Sequence, residues 1–204
     1  MTAEIWLNAF LALFAILNPI GLVPIYAEYI GELDWKTRFN MFNISVLTGL
    51  ITMTIMTLTG QWLMSRVFQI DIQMFRITGG LLLTVLAVRY IVFPPRQGPR
   101  YTREDDITSQ ALEFAVVPMA VPLMVGPGSI VTGILLLDQY GYAVTLSSLA
   151  AIFLLCWIIF QLTPWFSLLM GKVGRMVISR VLWIFIGAIG VKYLVTGIQN
   201  YFGL

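Results

Sequence analysis

The sequence contains no histidine and a single cysteine, Cys156. With one thiol and no imidazole, an internal disulfide and the common zinc and haem ligand sets are excluded. Cys156 sits inside the apolar stretch IFLLCWIIF, where a small, buried, inert role is the simplest reading. Charge is scarce as well: 11% of the residues are charged, against about 25% in an ordinary soluble domain. The net charge is only +2 and the basic residues are scattered through short loops, so no nucleic-acid partner is expected. No glycine-rich stretch ends in Gly-Lys-Ser/Thr, which leaves no loop of the kind that cradles nucleotide phosphates. Acidic residues are missing from the middle of every apolar run; Glu28, Asp71, Glu113 and Asp138 all fall near the ends. A proton relay through a buried acid is therefore poorly supported, and so is acid–base catalysis. No cofactor or metal is expected, and the chain does not read as an enzyme.

What the sequence does have is apolar length. Hydrophobic residues make up 59% of it and its mean hydropathy is +0.88, whereas soluble domains are about 45–50% apolar. The partner is a lipid bilayer, whose core, about 30 Å thick, takes about 20 residues of helix. Six segments qualify, at 5–27, 41–63, 74–93, 114–137, 142–163 and 181–199. The first lacks the basic start and small-residue cleavage site of a signal peptide and reads as a retained span. The fold class expected is an all-α membrane protein of six transmembrane helices.

One long polar connection, PPRQGPRYTREDDITSQAL, divides the chain. Residues 1–93 form a first three-helix repeat, 94–112 a cytoplasmic linker and 113–204 a second three-helix repeat. Lys36, Arg38, Arg96, Arg100, Arg103, Lys172, Arg175 and Arg180 lie in the connections after spans one, three and five, while the other side carries little beyond Arg66 and Arg76. Basic loops stay inside, so both termini are expected outside. An odd number of spans per half requires the repeats to have inverted topology. NPIGLVP in span one overlays GPGSIVT in span four, so Asn18, Pro19, Gly21 and Pro24 fall on Gly126, Pro127, Ser129 and Thr132. Span three matches span six through Arg76 with Arg180, and Arg89 with Lys192, at a slightly different offset. Arg89 and Lys192 lie close enough to the span ends to reach the interface.

Both overlaid stretches lie near the middle of a span, and both carry helix breakers. Proline removes a donor and clashes with the preceding turn, so spans one and four are expected to be broken helices. Freed backbone groups in lipid cost several kcal/mol each and persist only beside protein or a water-filled cavity. Paired interruptions in two matching halves point to a transporter's binding site. The candidate substrate-binding residues are Asn18, Pro19, Gly21, Gly126, Pro127, Gly128, Ser129 and Thr132. Asn18 can cap a freed turn or meet a solute, Ser129 can bond to its own helix or meet a solute, and the glycines can simply permit close approach. The span-two threonines Thr48, Thr52, Thr54 and Thr57 fit either a lined path or interhelical hydrogen bonds.

The stretches LFAILNPIGLVPIY, FRITGGLLL and AVPLMVGPGSIVTGI resemble the MarC family of integral membrane proteins, and the likeness runs over nearly the whole chain. The resemblance implies an inner-membrane protein with duplicated halves, related to transporters of small neutral amino acids such as glycine or alanine. Its break motifs fall on Asn18, Pro19, Gly21 and Pro24, and on Gly126, Pro127, Gly128 and Ser129. Trp183 departs from the pattern, because a glycine is expected three positions after the span-six arginine. The leading expectation is a secondary transporter moving a small neutral amino acid, with a coupling cation as a further candidate partner. The alternatives are an exporter of other small solutes or drugs, an integral membrane enzyme, or a scaffold.

Overall fold

The computed structural model describes residues 2–30, 33–93 and 104–203, and every regular element in them is helical. Parts of the expected linker, with Arg96, Arg100 and Arg103, lie outside the described residues, as do the side chains of Glu28, Lys172 and Arg175. In chain order the helices are α1 (Thr2–Leu17), α2 (Pro19–Tyr29), α3 (Trp35–Trp62), α4 (Ile72–Val92), α5 (Glu104–Phe114), α6 (Pro127–Gln161) and α7 (Thr163–Phe202). A π-helical turn, Leu63–Phe68, extends α3, and an irregular segment, Ala115–Met124, joins α5 to α6.

Local chemistry sets these boundaries. Asp34 caps α3 by accepting from the Lys36 and Thr37 N–H groups at 3.0 and 3.2 Å, and Asp71 caps α4 through the Gln73 N–H at 3.0 Å. Gly141, at φ 74°, interrupts α6, and Gly171, at φ 60°, interrupts α7; glycine takes that conformation without a Cβ penalty.

Among the described residues five helical runs are long and apolar enough to cross a membrane: Ala3–Ala27, Trp35–Phe68, Ile72–Val92, Pro127–Gln161 and Met176–Phe202. The count differs from six because the second half of expected span four and most of expected span five fall in one apolar run, Pro127–Gln161, which Gly141 interrupts, while the first half of span four lies in the irregular segment before it.

Small residues let the helices approach. α4 crosses α7 where Gly80 and Gly190 meet backbone to backbone, so neither position has space for a methyl group. α3 packs on α6 with Gly49 under Phe153 and Gly133 under Thr57. Tyr26 of α2, Phe42 of α3 and Phe160 of α6 form an aromatic cluster, with Tyr26 5.2 Å from Phe42 and 4.6 Å from Phe160 between ring centres. Polar links are few and specific: Trp157 Nε1 donates to Asn43 Oδ1 at 2.7 Å, and Trp6 Nε1 donates to Ser147 Oγ at 2.8 Å. The outer surface is apolar over long stretches, including Leu7, Leu11, Ile51, Val85 and Phe185. A surface of that kind is at home in hydrocarbon rather than water.

Candidate functional site

α1 ends and α2 begins around one residue. Asn18 adopts left-handed backbone, φ 44° and ψ 57°, which asparagine reaches more readily than most residues because its short side chain bonds locally. Its N–H donates to the Phe14 carbonyl at 3.0 Å and closes α1. Its side-chain Oδ1 accepts from the Gly21 N–H at 3.3 Å and caps α2. Pro19 then opens α2, where a missing N–H removes no hydrogen bond. Gly21 leaves room for the Asn18 amide, which lies where a Cβ would be.

The second break is longer. Backbone at Val117 and Val121 is extended, the bonds before Pro118 and Pro122 are cis, and the chain resumes a regular helix only at Pro127. Two devices satisfy freed backbone groups here. Ser45 of α3 donates to the Ala115 carbonyl at 2.9 Å. Ser129 Oγ accepts from the Gly126 N–H at 2.9 Å, and its single O–H is within reach of two carbonyls, Gly126 at 2.9 Å and Met124 at 3.2 Å. Thr132 Oγ1 returns to the Gly128 carbonyl at 2.8 Å. Ser129 therefore spends its hydroxyl on the residues just before α6, and Thr132 on α6 itself.

Although far apart in sequence, the two breaks border one cavity of about 60 Å³. A water needs about 10–15 Å³ of such space, so there is room for a few waters or one very small solute. Of the expected residues, Asn18, Gly126, Gly128 and Ser129 line it, whereas Pro19, Gly21, Pro127 and Thr132 stand outside its lining. Pro127 instead packs against Gly79 of α4. Beyond the segments around the two breaks, the wall is completed by residues not singled out from sequence: Leu83 of α4, with Ile186, Ile189 and Tyr193 of α7. Among the described residues no Asp, Glu, Lys or Arg lines the cavity. Its polarity comes from the Asn18 amide, the Tyr193 hydroxyl and the backbone. At the α6 N-terminus Pro127 has no N–H, and the Gly128 and Ser129 N–H groups have no helical carbonyl one turn back. They sit at the positive end of the helix dipole.

A larger recess, about 330 Å³, lies beside the ends of α3 and α4 and is lined in part by Asp71 and Asp138. Both acids are exposed, and Asp71 is already the cap of α4. Glu113, Arg89 and Lys192 are exposed too. Among the described residues no three His, Cys, Asp or Glu side chains gather where they would hold a metal ion.

Apolar helices of membrane-spanning length, one interrupted and another beginning at a shared cavity, define a polytopic integral membrane protein. More specifically, the chain belongs to the MarC family of integral membrane proteins, whose model matches residues 3–202. It is 30% identical to the UPF0056 membrane protein YhcE of Escherichia coli over 97% of this chain and 94% of that one. A UPF0056 membrane protein of Pyrococcus horikoshii is 29% identical over 94% of this chain and 93% of its own length. One from Aquifex aeolicus is 28% identical over 96% and 93% respectively. No solved structure matches the chain.

Proposed function

We propose that the protein is a secondary transporter for small, net-neutral solutes, most simply amino acids the size of glycine or alanine. The observation that carries this reading is the uncharged cavity shared by the two helix breaks. A net charge brought into such a site would lose its hydration with no opposing charge on the described side chains that line it, and that loss is heavily unfavourable. A zwitterion fares better, because its two ends can be met separately. The Gly128 and Ser129 N–H groups suit a carboxylate, while orphan carbonyls at the end of α1, beside Leu17, suit an ammonium.

In the same proposal six spans form two inverted three-helix repeats in the inner membrane, with both termini outside. Transport then consists of one repeat rocking against the other around the site. A cation held by backbone carbonyls is the candidate coupling partner, since no carboxylate lines the cavity among the described residues.

The test is uptake of labelled solutes into proteoliposomes. Glycine and alanine are expected to cross, while lysine, glutamate and tryptophan are excluded by charge or size. Equal exclusion of all five would remove the proposal.

A further inference from the structure

The two halves carry a matching pentapeptide, VRYIV at 88–92 and VKYLV at 191–195, which puts Tyr90 and Tyr193 at equivalent positions. Their surroundings differ. Tyr90 stacks flat on Trp183, with ring centres 4.4 Å apart and planes 3° apart, and Trp183 is 1% exposed. Arg180 Nη1 also donates to the Tyr90 and Ile91 carbonyls, fixing that end of α4 against α7. Tyr193 has no such cover. Its side chain lines the cavity, and its hydroxyl lies against Gly128, where a Cβ would stand. Among the described residues that hydroxyl has no hydrogen-bond partner.

The difference traces to one position in each half. Three residues after Arg76 comes Gly79, which yields space to Pro127 and lets the α6 N-terminus reach Tyr193. Three residues after Arg180 comes Trp183, which fills the corresponding space and covers Tyr90. A duplicated design is thereby left with one open tyrosine.

We infer that Tyr193 is the specificity-determining residue of the cavity: its hydroxyl donates to the carboxylate held at the α6 N-terminus, and its ring sets the upper limit on solute side-chain size. This rests on the transport reading above and deepens it. A hydroxyl beside the Gly128 and Ser129 N–H groups adds a third donor to an anionic oxygen, and hydrogen bonds to charged groups are the stronger kind. The ring stands with Leu83, Ile186 and Ile189, so its removal enlarges the apolar side of the cavity rather than the polar one.

The experiment compares wild type, Tyr193→Phe, Tyr193→Ala and Tyr90→Phe in proteoliposomes, with labelled glycine, alanine and leucine. Tyr193→Phe is expected to raise KM for glycine and alanine about tenfold with little change in kcat, the effect of one charge-assisted hydrogen bond. Tyr193→Ala is expected to admit leucine, and Tyr90→Phe to behave as wild type. Gly128→Ala, which pushes a methyl group into Tyr193, is expected to abolish uptake, and Tyr193→Ala in the same chain to restore part of it. Such coupling is not produced by two independent folding defects. Wild-type KM in Tyr193→Phe together with wild-type size selection in Tyr193→Ala would overturn the role of Tyr193 alone. Absence of uptake by the wild type would overturn the transport reading, and this inference with it.

Discussion

Gly79 of α4 lies directly under the Pro127 ring that opens α6, with no room for a methyl group between them. This contact fixes where the α6 N-terminus ends up, and so where the Gly128 and Ser129 N–H groups face the cavity. Gly79→Ala is expected to destabilise the protein by about 1–3 kcal/mol, the usual cost of an extra methyl in a packed contact. Uptake is expected to fall with it. Thermal unfolding in detergent and flux in liposomes check both; an unchanged Tm would mean that α6 moves freely away from α4.

Asn18 combines two roles that different substitutions separate. Asn18→Gly keeps the left-handed backbone and loses the cap to Gly21, whereas Asn18→Ala loses the cap and adds backbone strain. Cap loss costs about 1 kcal/mol with alanine and a few tenths with glycine, and left-handed alanine adds roughly 1–2 kcal/mol. The expected stability order is wild type, then Gly, then Ala. An equal loss for both variants would show that the backbone conformation at this position is not under demand.

Ser129 and Thr132 look alike in sequence, one helical turn apart, yet the structure separates them. Ser129→Ala leaves the Gly126 N–H without its acceptor and is expected to cost about 1 kcal/mol and weaken uptake. Thr132→Val removes a hydroxyl that serves only the Gly128 carbonyl, so uptake close to wild type is expected. Comparable losses in both would place Thr132 in contact with the solute.

How far the sequence foretold these details depends on the residue. Asn18, Pro19, Gly126 and Pro127 announced both breaks, because prolines, and an amide that bonds to its own backbone, disrupt a hydrogen-bond ladder wherever the chain goes. The length of the second break was also visible in principle, since Pro118 and Pro122 are spaced to remove donors from successive turns. The cavity's apolar wall was not. Leu83, Ile186 and Ile189 resemble lipid-facing residues, and only the close crossing of α4 and α7 through Gly80 and Gly190 brings them to the site. Ser129 could not be assigned because a capping serine and a ligand-binding serine have the same local sequence. Tyr193 had a signal, the repeated pentapeptide, but nothing local distinguished it from Tyr90.

The pH response follows from where acids lie. Asp34, outside the membrane-spanning runs, has its carboxyl held below the ordinary carboxylate range, chiefly by the Thr37 hydroxyl, then by the Thr37 N–H. A depressed folded-state value means that its stabilising contribution is present above the unfolded value, about 3.9, and is lost as pH falls through the folded one. Because Asp34 is almost fully exposed, that contribution is small. With no Asp, Glu, Lys or Arg lining the cavity among the described residues, glycine uptake in the absence of a proton gradient is expected to be flat from about pH 5 to 8. A bell-shaped or sigmoidal profile in that window would require a titrating group at the site.

Gly126→Leu offers the most direct measurement. A Cβ at this position already meets the Pro122 carbonyl oxygen at 2.8 Å, and a leucine side chain would extend into the space between the two breaks. Labelled glycine and alanine uptake should be compared for wild type and this variant, both reconstituted as folded, inserted protein at equal density. Uptake by the wild type and none by Gly126→Leu is expected. Wild-type rates in Gly126→Leu would contradict the placement of the solute between Asn18 and the α6 N-terminus.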